Sequence, residues 1–415
     1  VKSELGKTTR GQFIVGGLAA SAATFASINV IAAPTKTVTV GLNVPQTGPY
    51  SDQGADQLRA YRMAIQEINA KGGVMGLQIE ESIGDDETKA AVAVDNARRM
   101  IERDGAVMIT GGSSTGTAIA VSGLCQEKKT IFMATLTHGD ETTDVDCHYH
   151  TFRRYIDAHM SAQAMARTML TKYGTGRWFY VTADYSWGHS NFDNLTGVVE
   201  AKGAKTVDNV LLPLGTTDFS SALSRAQAAK PDVLVIIEFG KDMVNALNQA
   251  AQFGLTKSTK ILVPLADEYM AKGTGDNFDN VVTTAPFYWA YQSTKYPAAK
   301  LFVDDFTRRY GTPPSNGAEC AYTDMYQWKE GIERAGSLDP KAFIEKMEGY
   351  HWSSTKGPEY WRSWDHQGIN TVMVLEGIPV AQRENVWAYG KVLEVHDGDS
   401  VAITQANTKC KIEDS

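Results

Sequence analysis

The residues with the clearest chemical potential lie in two short stretches, Val107-Met-Ile-Thr-Gly-Gly-Ser-Ser-Thr-Gly116 and Ile131-Phe-Met-Ala-Thr-Leu-Thr137. In the first, Val107, Met108 and Ile109 read as a buried strand. Gly111 and Gly112 permit backbone angles closed to other residues. Ser113, Ser114 and Thr115 fit the cap and first turn of a helix that runs on through Ala118–Leu124. A helix start presents unpaired N–H groups and a partial positive charge, which together seat a carboxylate or another anion. Thr135 and Thr137 add two neutral hydroxyls at the end of the second strand. No lysine follows Gly116, so the turn is not a nucleotide phosphate loop. Groups of this kind hold a small anion without reacting with it.

Catalysis is not expected. His-Glu-x-x-His and Gly-x-Gly-x-x-Gly are both missing, and no motif ties a histidine to the hydroxyls. His138, one residue past Thr137, reads as polar loop filling. Cys147, His148 and His150 lie close together, but His-x-His on a strand is common without a metal, so neither a metal nor a cofactor is expected.

The elements that must position these groups alternate along the chain. Strands are predicted at Thr37–Asn43, Leu77–Ile83, Ala106–Thr110 and Thr130–Thr135, with helices at Asp52–Ala70, Lys89–Arg103 and Ala118–Lys128. Such βαβα order implies a parallel sheet covered on both faces. The pattern restarts with a helix over His159–Lys172 and strands at Arg177–Thr182, Ala204–Leu212, Val233–Ile237 and Lys260–Val263, so a second sheet is expected. Open sheets of this kind bind ligands beyond the carboxyl ends of their strands. Long helices return at Ala298–Tyr310, Ala318–Ala335 and Pro340–Glu348, before a β-rich end at Val372–Glu376 and Val386–Val395. The fold class is therefore α/β, with two Rossmann-like, doubly wound lobes joined by a multi-strand hinge. Residues 37–154 with 285–350 are assigned to the first lobe, and 155–284 with 351–415 to the second. The hinge is expected near Phe152–Ile156, Thr283–Phe287 and Trp352.

The chain has 415 residues, 43% apolar and 21% charged, with a formal charge of −8. That balance, without clustered Lys and Arg, argues against a nucleic-acid partner. Lys2, Lys7 and Arg10 precede the apolar run Phe13–Ile31, which closes on Ala32-Ala33. Residues 1–33 thus read as an export signal; Arg10-Gly-Gln-Phe-Ile14 is one arginine short of a twin-arginine leader, which leaves the route open. Four cysteines fit an oxidising compartment. They allow three pairings, of which Cys125–Cys147 is favoured for its short loop, leaving Cys320–Cys410 to pin the tail.

Several landmarks together resemble the type I periplasmic solute-binding proteins of ABC transporters, in the branch serving branched-chain amino acids, amides and urea. They are Gly41-Leu-Asn-Val-Pro-Gln-Thr-Gly-Pro49, Ala64-Ile-Gln-Glu-Ile-Asn-Ala-Lys-Gly-Gly73, Asp85-Asp86, the Gly111–Gly116 turn, Phe152-Arg153, Ala183-Asp-Tyr-Ser-Trp-Gly188 and Asp218-Phe-Ser-Ser221. The resemblance implies a periplasmic monomer that closes over a ligand by hinge motion and is recognised by a membrane permease. It places the ligand's carboxylate at Ser114 and Thr115, with Thr135 and Thr137 beside it. It also implies contacts from Trp187, Phe239, Asp267, Gln53 and Tyr50.

An amino acid ligand would need an acid for its ammonium, for which Asp267, Glu268 or Glu238 could serve. An aromatic or aliphatic carboxylate would need only walls such as Trp187, Phe239, Tyr269 and Phe287. The run Arg362-Ser-Trp-Asp-His-Gln367 is similar to a stretch of amide-type relatives and tilts the reading away from a strict leucine binder. The alternative function is ligand sensing through a partner membrane protein.

Overall fold

The computed structural model describes residues 36–412, so the expected export signal over residues 1–33 lies outside the described residues. The first lobe is built from β1 (Thr37–Val44), α1 (Ser51–Ala70), β2 (Gln78–Asp85), α2 (Ala90–Glu102), β3 (Ala106–Gly111), α3 (Thr115–Lys128), β4 (Ile131–Ala134) and β5 (Thr151–Arg153). Its strands run in the order β2-β1-β3-β4-β5, every pair parallel. Parallel strands covered on both faces must be apolar almost throughout, and all of β4, with Val40, Leu42 and Val44 of β1, is buried.

The second lobe follows as α4 (Ala158–Tyr173), β6 (Arg177–Ala183), α5 (Ser186–Glu200), β7 (Lys205–Leu212), α6 (Ser220–Ala229), β8 (Val233–Ile237), α7 (Gly240–Gln252), α8 (Leu255–Ser258), β9 (Lys260–Leu265), α9 (Glu268–Thr274) and β10 (Val282–Ala285). The chain then returns to the first lobe as α10 (Trp289–Lys295), α11 (Pro297–Tyr310), α12 (Asn316–Ala335) and α13 (Pro340–Met347). Ala318, Ala321, Met325 and Trp328 of α12 share a core with Tyr61, Ile65 and Ile68 of α1. Three short strands follow, β11 (His351–Ser354), β12 (Gly357–Trp361) and β13 (Gly368–Ile369), in an antiparallel sheet. Finally β14 (Val372–Gly377) and β15 (Gly390–His396) join the second sheet antiparallel, giving the order β15-β14-β10-β9-β8-β6-β7.

Two expectations change here. The third crossing between lobes lies at residues 369–372 rather than near Trp352. Trp361 packs against Phe152 at 5.2 Å and belongs with Phe343 to the first lobe's core, which holds residues 351–361 on that side. The disulfide joins Cys147 to Cys410, with Cα atoms 5.6 Å apart, and leaves Cys125 and Cys320 as free buried thiols. The favoured Cys125–Cys147 and Cys320–Cys410 pairings are therefore wrong. Loop length misled, because Cys125 faces inward from α3 into an apolar cluster. Cys147 sits instead by the tail, whose Thr408 and Lys409 both bond the Asp144 carboxylate. The bond also removes Cys147 from any metal site, and the described residues hold no metal-sized cluster of ligating side chains.

Buried charge fixes the hinge. Arg154 donates to Glu319 at 2.8 and 3.0 Å and to Glu359 at 2.7 Å, with all three side chains inaccessible. Burial works against the Glu319 charge, but Arg154 and Lys356 overcome it and hold its pKa down to about 2. Arg153 donates to Gln367 at 2.6 Å, and Gln367 donates to the Tyr155 carbonyl at 2.8 Å. His366 stacks on Phe152 at 4.1 Å. The Arg362–Gln367 run is thus hinge structure, and none of its residues lines the interlobe cavity.

Candidate functional site

The hydroxyl turn forms as its residue types dictate. Gly111 has φ +128°, and a Cβ there would fall 1.9 Å from the Asn43 carbonyl oxygen, so only glycine fits. The Ser114 side chain accepts from the Thr117 amide, and the Thr117 hydroxyl accepts from the Ser114 amide. This reciprocal cap starts α3 at Thr115, earlier than the expected Ala118. The amides of Thr115 and Gly116, in the first turn, have no intrahelical acceptor. The Thr115 hydroxyl accepts the Gly139 amide at 3.0 Å, which leaves its proton free to donate. Gly112-Ser-Ser-Thr-Gly116 also spells the Gly-x-Ser-x-Gly of a nucleophile elbow, but Ser114 is spent on capping. The nearest histidine in sequence, His138, bonds other partners.

The two lobes meet over this turn. Ser113, Ser114, Thr115, Leu136 and His138 on one side and Tyr185, Trp187, Phe239 and Leu265 on the other, with Tyr50, enclose a cavity of about 10 Å³. That holds about one water. The lobes are shut, and a larger ligand enters only when they part. Leu136 adopts φ +56°, a left-handed conformation that costs a β-carbon residue energy and collects at binding sites.

Closure is made by specific contacts. The Tyr50 and Tyr185 hydroxyls meet at 2.6 Å, and Tyr50 packs edge-on against Phe239 at 5.2 Å. Trp187 Nε1 donates to His138 Nδ1 at 2.9 Å. Gln53 donates to Asp267 at 2.8 Å, while Arg59 donates to the Tyr269 hydroxyl at 2.7 Å. At the rim, the Lys241 amide donates to the Pro49 carbonyl at 3.2 Å. A Cβ on the adjoining Gly240 (φ +58°) would lie 2.7 Å from that same oxygen.

Ser114, Thr115, Trp187, Phe239 and Tyr50 therefore share one small cavity. The other named residues lie elsewhere. The Thr135 hydroxyl takes a bond from Tyr61 at 2.7 Å and donates to Asp324 at 2.5 Å inside the first lobe. Thr137 pairs with Thr142 at 3.4 Å. Asp267 caps α9 through the Met270 amide and bridges to Gln53, and burial raises its pKa to about 6. Tyr185, Leu136 and His138 were not singled out from sequence as contacts. His138 gave no signal beyond its place after Thr137, and Tyr185 lay unused inside the Ala183–Gly188 landmark. A larger groove of about 670 Å³ lies on the outer face of the first lobe, among α1, α11, α12 and β11. Its Glu67 carboxylate is already bonded by Tyr322 and Tyr326 at 2.7 Å each.

Two sheet lobes shut over a small cleft between the carboxyl ends of their strands are the architecture of a solute-binding protein. Residues 37–379 match the profile of the periplasmic binding protein family, and the chain belongs to that family. It is a binding protein, not an enzyme. It is 25% identical to Leu/Ile/Val-binding protein homolog 7 of Brucella abortus, over 92% of this chain and 96% of that protein. It is 24% identical to the leucine-, isoleucine-, valine-, threonine- and alanine-binding protein of Pseudomonas aeruginosa, over 80% and 87%. Among solved structures, a periplasmic binding protein from Burkholderia mallei superposes with a TM-score of 0.85 at 26% identity, covering 90% of this chain and 98% of the other.

Proposed function

We propose that the chain is exported by residues 1–33 and captures a small carboxylate-bearing or amide ligand between its lobes in the periplasm. It then presents the closed form to an ABC transporter permease. The observation that carries this reading is the start of α3. Ser114, its cap, and Thr115, its first residue and 1% exposed, line the cavity where the lobes meet. The first lobe takes the anionic end and the second covers the remainder through Trp187, Phe239 and Tyr185, a hinge closure of the kind the family exemplifies. The named ligands of the amino acid-binding relatives support a zwitterion or a carboxylate.

A thermal-shift screen of amino acids, amides and aromatic acids tests the ligand class, and calorimetry on Thr115→Val tests the site. Loss of one charge-assisted hydrogen bond of about 1.5–3 kcal/mol weakens binding roughly 10- to 150-fold. Unchanged affinity in a folded variant would overturn the assignment of Thr115.

A further inference from the structure

Ligand capture between the lobes leaves the outer groove of the first lobe without a task. At about 670 Å³ it has the size of a small-molecule site. Its walls are aromatic. Phe302 of α11 lies 4.5 Å from Tyr322 of α12, and Tyr322 lies 5.0 Å from Tyr326. Tyr350 stacks with Trp352 of β11 at 6.1 Å. Leu301, 72% exposed, lines the same groove.

These rings are set in place by the protein itself. Tyr322 and Tyr326 both donate to Glu67 of α1, and Tyr350 donates to Glu330 of α12. The polar lining is tied to the buried charges of the hinge. Thr323 donates to Glu319 at 3.0 Å, Thr355 donates to the same oxygen, and Ser354 donates to Glu359 at 2.5 Å. A site held this firmly loses little freedom when it is filled. One group in it is unanswered: the Trp352 indole N–H is buried without an acceptor, a state native proteins seldom leave unexplained.

Charge in the groove is largely met from within. Arg309 pairs with Asp305 at 2.8 Å and lies 3.6 Å from Glu67. Lys71 sits 5.9 Å over the Tyr326 ring, and Arg334 sits 4.0 Å over that of Tyr350. A cationic ligand would meet these bases, and an anionic one would meet Glu67, Asp305 and Glu330. The ligand that fits is neutral, with apolar faces and a hydroxyl edge. A pyranose ring has both. Its C–H face packs on an aromatic ring, and its hydroxyls donate strongly to carboxylates.

We propose that this groove is a second binding site, separate from the interlobe cleft, and that it takes a neutral saccharide. A sugar ring packs against Trp352 and donates its hydroxyls to Glu67 and Glu330. A free sugar and a sugar unit of a glycan chain present the same chemistry here. The assignment does not depend on what the cleft binds.

Calorimetry on the whole protein tests it, with glucose, maltose, maltotetraose, N-acetylglucosamine and the N-acetylglucosamine dimer and tetramer as neutral probes. Glucuronate and glucosamine are the charged ones. At least one neutral probe should bind saturably, with a Kd of about 1 mM or tighter, and more tightly than either charged probe. Trp352→Ala should weaken it at least about tenfold, the scale of losing an aromatic anchor. Leu301→Arg, a change at an exposed side chain that folding tolerates, should weaken it by crowding the groove. Thr115→Val should leave it within about threefold. Affinity that levels off at the dimer supports a free sugar, and affinity that still rises at the tetramer supports a glycan chain. No saturable binding of any neutral probe overturns the proposal, as does tighter binding of a charged one. So does sugar affinity that survives both groove variants, or that falls in Thr115→Val alone, which would place the sugar in the cleft.

Discussion

Acid should open this protein through His138. The ring is 2% exposed and joins the lobes. Nδ1 accepts from Trp187 on α5 at 2.9 Å, and Nε2 lies 2.7 Å from the Ser161 hydroxyl on α4. Because an indole can only donate, Nδ1 must be unprotonated and the imidazole neutral. Burial drives the pKa down to about 3, with Asp157 pulling it up and Arg153 pushing it further down. Parting the lobes returns the ring to water and to an ordinary value of about 6.5. A pKa depressed in the closed form leaves closure at full strength above about pH 6.5 and weakens it as pH falls toward 3. At pH 5 the open form gains about 1.5 pH units of protonation, worth ~2 kcal/mol or roughly 30-fold. Asp140 and Asp267, which bond across the lobes and whose burial lifts their pKa values to about 7 and about 6, take up protons over the same range and favour the shut form. A His138→Gln control therefore isolates the ring. Dissociation constants at pH 7.5 and 5.0, with fluorescence transfer between dyes on the two lobes, give the readout. The native protein should lose about 30-fold more affinity than the variant on acidification. Ratios that agree within about threefold would refute the argument.

Two further outcomes follow from named contacts. Tyr185→Phe leaves the Tyr50 hydroxyl buried without its partner, a cost of about 1–3 kcal/mol borne by the closed form. Interlobe fluorescence transfer should show more open protein while the far-ultraviolet spectrum is unchanged, and an undiminished closed population would contradict it. Cys410→Ser removes a cross-link between residues 263 apart, worth up to about 5 kcal/mol in the chain-entropy picture. Melting should fall by several degrees, and reductant should lower the native protein to the same point while leaving the variant unmoved. A native melting point indifferent to reductant would show that the tail is held by other contacts.

Much of this architecture is written locally. The hydroxyl turn announces itself because Gly111 and Gly112 must turn where Ser114 must cap, and both demands are set within a few residues. Central strands such as Val233–Ile237 are apolar throughout and were placed to the residue. What depends on distant partners was not legible. Thr135 and Thr115 look alike in sequence, yet Thr135 is claimed by Tyr61 and Asp324 from two other helices, while Thr115 stays at the cleft. The Cys147–Cys410 bond depends on where the tail passes Asp144, a meeting that no spacing encodes. Thr151–Arg153 is too short to show a strand period, and it gains its pairing only beside β4. His138 read as filler because its partners, Ser161 and Trp187, sit in the other lobe.

The central claim is that the start of α3 grips the negative end of a ligand enclosed by both lobes. A crystal structure of the protein with whichever screened carboxylate most raises its melting point tests it most directly. The account predicts one carboxylate oxygen about 3 Å from Thr115 Oγ1 and the other on the first-turn amides, with Trp187 and Phe239 closed over the remainder. A ligand seated instead in the outer groove by Tyr322, Tyr326 and Trp352, with the interlobe cavity no larger than it is now, would contradict it.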